Sequence, residues 1–162
     1  VLDGERHSAL ERAEHRRVLV GARLAELREG VWMRPANLDV VLPDHLIDRA
    51  HRLIARPDRP GHLAAQLWPL GEWASRAATL AARLADEPPR ADQLAQGFVL
   101  SAAVLRHLQA DPLLPGALLP DGWPGRDLRD RYDGWDARYR ELLADWHRAW
   151  PTDRRARLTT SG

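Results

Sequence analysis

Cysteine and lysine are both missing from this 162-residue chain, and phenylalanine and methionine occur once each. Without cysteine there is no disulfide framework, no thiolate metal site and no cysteine nucleophile. Without lysine, all 24 basic side chains are arginine, a side chain suited to bidentate pairing with carboxylates and phosphates. Neither sign of charge dominates. The formal net charge is +1, so no bulk field marks a nucleic-acid or membrane binder. No apolar run approaches the roughly 20 residues needed to span a bilayer. Asp3, Glu5 and Arg6 stand where a signal peptide would begin its apolar core. These absences lead to the expectation of a cytoplasmic protein with no membrane partner.

Tryptophan is what the chain has in excess: seven, against two tyrosines. Large aromatic anchors of this kind serve helix packing first. With 44% hydrophobic and 29% charged residues, the composition is that of a globular protein of one domain or two small ones. The start at Val1-Leu2, without an initiator methionine, reads as the beginning of a fragment.

Residues 5–20 mix charged helix formers with Leu10, Ala13 and Val18-Leu19-Val20, which predicts an exposed helix ending near Gly21. Two short apolar-rich runs, 24–27 and 31–34, flank Glu29-Gly30 and predict a β-hairpin. Val31 and Met33 then point to one face, Trp32 and Arg34 to the other. Pro43-Asp44 starts a helical turn holding Leu46 and Ile47, and Leu53-Ile54-Ala55 reads as a short strand. From Gly61 onward, Leu63, Leu67, Leu70, Trp73, Ala77, Leu80 and Leu84 recur at helical spacing, interrupted near Pro69. A further helix is expected over 91–110, with Leu94, Phe98, Leu105 and Leu108 in its core. The last helix is expected over 125–150, with a stripe of Leu128, Tyr132, Trp135, Tyr139, Leu142, Trp146 and Trp150. The balance is α+β: a small mixed portion to about residue 60, then an all-helical one.

Two proline-punctuated strings remain. The first is Leu27-Arg28-Glu29-Gly30-Val31-Trp32-Met33-Arg34-Pro35, followed by Asn37-Leu38-Asp39. The second holds Asp111-Pro112-Leu113-Leu114-Pro115, Leu118-Leu119-Pro120 and Trp123-Pro124-Gly125. The second is too interrupted for a helix and too apolar for a solvated loop, so Leu113, Leu114, Leu118 and Leu119 are expected to be buried. Together with Leu63-Ala64-Ala65-Gln66-Leu67-Trp68 and Trp73-Ala74, these strings resemble the PaaX-type transcriptional repressors of phenylacetate catabolism.

The resemblance implies a ferredoxin-like central domain over 1–60, with its first strand truncated, and a helical C-terminal domain over 61–162. It also implies a homodimer that binds operator DNA through an N-terminal winged helix-turn-helix, which lies outside this chain. An acyl-CoA thioester such as phenylacetyl-CoA would act as the effector. No enzymatic activity and no cofactor is implied.

Candidate ligand-binding residues follow. Trp32 and Arg34 share a strand face and would meet a ligand phosphate or carboxylate, or else stack on each other as a brace. Trp68, Trp73 and Trp123 flank the region where a pocket between domains would be lined by aromatics, or else they fill a core. His7, Glu11 and His15 are spaced by four, and Asp44, His45, Asp48 and His51 cluster. Crowding arginines make both sets salt-bridged faces, and no metal ligand is assigned. Neither Ser8 nor Ser101 lies in a Gly-x-Ser-x-Gly turn, and no glycine-rich phosphate loop occurs. The rival from another class is a metal-dependent nuclease on the ferredoxin-like portion, with Asp3 as its acidic residue. Asp3 on its own reads as a turn or cap. A ligand-free dimerisation module is the third alternative.

Overall fold

Apolar side chains recurring every third or fourth residue along most of the chain produce helices. The computed structural model describes residues 9–149. In chain order its elements are α1 (Ala9–Gly21), β1 (Ala25–Arg28), β2 (Val31–Met33), α2 (Asp44–Ile47), α3 (Pro60–Leu67), α4 (Leu70–Asp86), α5 (Leu94–Gln109) and α6 (Gly125–Ala149). Short 3₁₀ turns at Ala91–Gln93 and Gly116–Leu118 complete them. Two compact units result. One holds the chain up to Leu70 together with Pro112–Asp121, the other Gly71–Asp111 and the chain from Gly122 onward.

In the first unit, β1 and β2 pair antiparallel around the Glu29-Gly30 turn, as the sequence predicts. Ala25 faces Met33, Glu26 faces Trp32 and Arg28 faces Val31, with an irregularity between Glu26 and Arg28. The expected ferredoxin-like domain is not there. That fold requires a β-α-β-β-α-β order, whereas the described residues carry one two-stranded sheet among helices. The chain is mostly helical, so the α+β expectation is corrected. The expected strand at 53–55 shows why. Leu53 and Ile54 are 86% and 91% exposed, and no neighbouring strand offers them hydrogen-bonding partners. Pro57 and Pro60 limit any extension of that run. The expected turn at Pro43 does form, and its Leu46 is buried.

Three helices build the core of the second unit. Trp73, Ala77, Leu80 and Leu84 of α4 meet Leu100 and Val104 of α5, and Leu128, Tyr132, Trp135 and Tyr139 of α6. Helices α5 and α6 run antiparallel. Tyr139 hydroxyl donates to the Leu94 carbonyl (2.7 Å), while seven residues earlier on α6 the Tyr132 hydroxyl meets Ser101 Oγ (2.8 Å). Gly97 permits this approach, because a Cβ there would lie 2.6 Å from the Tyr139 ring. Trp135 Nε1 donates to the Glu87 carbonyl (2.8 Å). Each buried aromatic ring on α6 thus finds a partner for its polar tip. Among the described residues no buried side-chain nitrogen or oxygen lacks one.

One expectation about this core needs correction. Phe98 and Leu105 are 67% and 44% exposed, because the small residues Gly97 and Ser101 turn a different face of α5 towards α6. Of the α6 stripe, Leu128, Tyr132, Trp135 and Tyr139 are buried and Trp146 is exposed, while Trp150 lies outside the described residues. Replacement at the core and at the misread strand should separate cleanly in urea unfolding. Leu128→Ala should cost about 2–5 kcal/mol, and Leu53→Ala should stay within about 0.5 kcal/mol of the parent.

Candidate functional site

The hairpin does not stack Arg34 on Trp32. The cation over the Trp32 ring is Arg16 of α1, 5.3 Å from the centroid. Arg16 also pairs with Glu26, the residue opposite Trp32 in the strand register. One guanidinium on α1 therefore covers a cross-strand pair.

Arg34 is committed elsewhere. Its Nε donates to the Pro35 carbonyl, its Nη1 to the Ala22 carbonyl and its Nη2 to Asn37 Oδ1, each at 3.1 Å. Burial, and secondarily the charge of Arg23, lowers the pKa of this guanidinium, which nonetheless stays protonated at any working pH. Asn37 then turns its own amide to the Leu113 carbonyl (Nδ2 to O, 2.8 Å), across 76 residues of sequence. Leu113 has φ of +53°, a left-handed conformation costly for a residue with a Cβ. The two proline-punctuated strings are thus joined by a polar clamp, Arg34–Asn37–Leu113, inside one unit. Of the loop leucines, Leu114 is fully buried and Leu113, Leu118 and Leu119 are half-buried. Trp68 belongs to this unit as well, half-buried at the end of α3, with its backbone N–H donating to the Ala64 carbonyl (3.0 Å).

Trp73 and Trp123 are brought together in the other unit. Their rings stack with centroids 4.6 Å apart, and Trp73 also stacks on His107 at 4.4 Å. Trp73 and His107 exchange hydrogen bonds. The indole Nε1 donates to the His107 carbonyl (3.2 Å), and His107 Nε2 lies 3.1 Å from the Trp73 carbonyl. A carbonyl only accepts, so Nε2 carries the proton in the neutral ring. Burial chiefly holds the His107 pKa below its ordinary value, aided by Arg76; the Trp73 carbonyl and Asp111 act the other way.

Beside this cluster, the Asp111 carboxylate is almost wholly buried and ion-paired with Arg129 of α6. Gly125 opens α6 against both features. A Cβ there would meet Trp123 Nε1 at 2.7 Å and Asp111 Oδ2 at 3.0 Å. The glycine of the Trp-Pro-Gly step is therefore needed for close approach. The leucine-proline segment leaves this unit at Asp111 and re-enters it at Gly122, with both ends fixed by the same few atoms.

Of the five sequence candidates, the structure joins Trp73 with Trp123 and gives Trp32 and Arg34 separate partners. Sequence reading missed His107, Asp111 and Arg129. The signal available for His107 was its place in the series Leu100, Val104, His107 on the buried side of α5. The two histidine-rich sets do approach each other, with His15 and His45 rings 5.7 Å apart. Among the described residues, however, no three His, Cys, Asp or Glu side chains converge as metal ligands would. His7 and Asp3 lie outside the described residues. None of these groups forms a nucleophile–base pair, and the cluster offers aromatic surface with a fixed charge beside it.

Two outcomes follow. Arg129→Met should destabilise the fold by about 3–5 kcal/mol by stranding a buried carboxylate, while Asp111→Asn should cost less, because Arg129 can reach water; denaturant midpoints compare them. The depressed His107 pKa makes the unfolded chain the better proton acceptor. Its stabilising contribution is complete above about pH 6.5 and is lost as pH falls from there towards the folded-state value, by up to about 1.4 kcal/mol per pH unit. Melting curves from pH 7.5 to 5 should show this decline, and His107→Gln should flatten it.

No family model matches the chain, and no curated protein matches it. Among solved structures it is similar to the uncharacterized protein Rv0674 from Mycobacterium tuberculosis, with 37% identity and a TM-score of 0.76. The match covers 88% of this chain and 59% of that one, so the chain spans under two thirds of that protein's length.

Proposed function

We propose that this chain is the dimerising, effector-responsive part of a PaaX-like transcriptional regulator and carries no reaction of its own. The observation that supports this reading is the bond from Asn37 to the Leu113 carbonyl. It joins the two strings on which the resemblance rests, through residues whose partners are main-chain carbonyls and each other. Groups held in this way set shape and leave no side chain poised for chemistry.

In this reading the effector is an acyl-CoA thioester with an aryl group, and the half-buried Trp123 is the indole best placed to receive a flat ring. Operator DNA is bound by a winged helix-turn-helix that is not among the elements described. Ligand binding then acts by shifting the population between two dimer geometries, of which one matches the operator half-sites. A regulator of this kind works in the cytoplasm. No described helix is long and apolar enough to cross a membrane.

Titration with phenylacetyl-CoA should give a saturable change in tryptophan fluorescence and a higher melting temperature, both reduced in Trp123→Ala. Silence towards phenylacetyl-CoA and towards other aryl and aliphatic CoA thioesters would remove effector sensing from this proposal.

A further inference from the structure

Helix α5 uses two of its sides for the core and leaves a third bare. Gly97 and Ser101 face Tyr139 and Tyr132 of α6. Leu100, Val104 and His107 are buried, His107 against Trp73 of α4. Turning by about 100° per residue, the remaining arc of roughly 120° carries Ala95, Phe98, Val99, Ala102, Leu105, Arg106 and, in the last turn, Gln109. Phe98 is 67% exposed and Val99 63%. No charged residue occurs between Asp92 and Arg106.

The solvent-facing positions of α6 follow a different rule. There Arg126, Asp127, Asp130, Arg131, Arg138 and Arg140 bring charges of both signs to the surface, and Arg131–Asp127 and Arg140–Asp136 form ion pairs one turn apart. The outer face of α5 is instead apolar, and contiguous exposed apolar surface of this kind marks an interaction site.

We infer that the outer face of α5 docks on the same face of a second copy of this chain, antiparallel, with the two-fold axis passing by Ala102. The inference rests on the dimeric reading proposed above and assigns it a surface. The order of residues along the face is self-complementary about Ala102. A two-fold axis there sets Val99 of each copy against Leu105 of the other, and Phe98 against Arg106. The small Ala102 side chains meet at the crossing and let the helices approach. The one charge on the face then lies over an aromatic ring, which is a favourable partner for a guanidinium. Each contact occurs twice, as an isologous interface requires. A strongly acidic or basic partner would find a single charge to meet, whereas a second copy brings an equally apolar stripe. The overall charge of +1 sets little repulsion against self-association.

Sedimentation velocity on the parent, Phe98→Asp and Leu105→Asp tests this surface. Both positions are exposed, so circular dichroism spectra should be unchanged, while the parent should sediment as a dimer and both variants as monomers. Since the chain has no cysteine, Ala102→Cys introduces a single thiol at the axis. Mild oxidation with diamide should link two copies through it, whereas Ala82→Cys on α4 should stay unlinked. Dimers that survive both aspartate variants, or an Ala102→Cys protein that does not cross-link, would overturn this face while leaving dimerisation standing. A parent that is monomeric at all concentrations would overturn the face and the dimeric reading together. Neither result bears on the response to thioesters, which is read separately.

Discussion

The buried carboxylate of Asp111 is the constraint around which the second unit is arranged. A charge in that position is tolerable only with a partner, and Arg129 reaches it from α6. The pairing fixes the end of α5 relative to the second turn of α6. Gly125 must be a glycine because the same carboxylate and the Trp123 indole occupy the space a side chain would need. Trp123 is thereby held where it can stack on Trp73, and Trp73 in turn is bonded to His107 in both directions. A single desolvated charge thus sets the path of the chain on both sides of the leucine-proline segment.

In the first unit the corresponding problem is backbone strain. Leu113, which follows Pro112, adopts a left-handed conformation. Its carbonyl would be poorly placed without a donor, and Asn37 supplies one. Asn37 is held by Arg34, whose other donors grip the main chain at Ala22 and Pro35. An arginine in this role does what lysine would do badly, since its planar fork addresses several acceptors at once. The wording of both strings is therefore explained by a turn, a strained residue and the polar side chains that hold them.

What was legible in the sequence depended on whether the information was local. The hairpin was readable because Glu29-Gly30 sits between two apolar runs, and the stripes of α4 and α6 because their period is uninterrupted. Phe98 and Leu105 were misread because α5 is apolar around most of its circumference. Periodicity cannot say which arc is buried; the small residues Gly97 and Ser101, where Tyr139 and Tyr132 seat, carried that information. Leu53-Ile54 has the composition of a strand, but a strand also needs a neighbour, and a neighbour is not a local property. The candidate site was legible only in part. Trp73 and Trp123 were named, yet their stacking depends on contacts fifty residues apart, and the cation over Trp32 came from α1 instead of the adjacent Arg34.

The same distinction bears on function. A reactive site would show itself as side chains whose polar atoms point into a shared open space, with a base near a nucleophile. Here the polar groups of the clamp and the aromatic cluster already have protein partners. The Ser101–Tyr132 pair, the nearest approach to a relay, is buried between α5 and α6. Chemistry that is satisfied internally points outward only through surfaces. Among the helices of the second unit, α5 exposes large apolar side chains at Phe98, Val99 and Leu105, where the outer face of α6 carries arginine and aspartate.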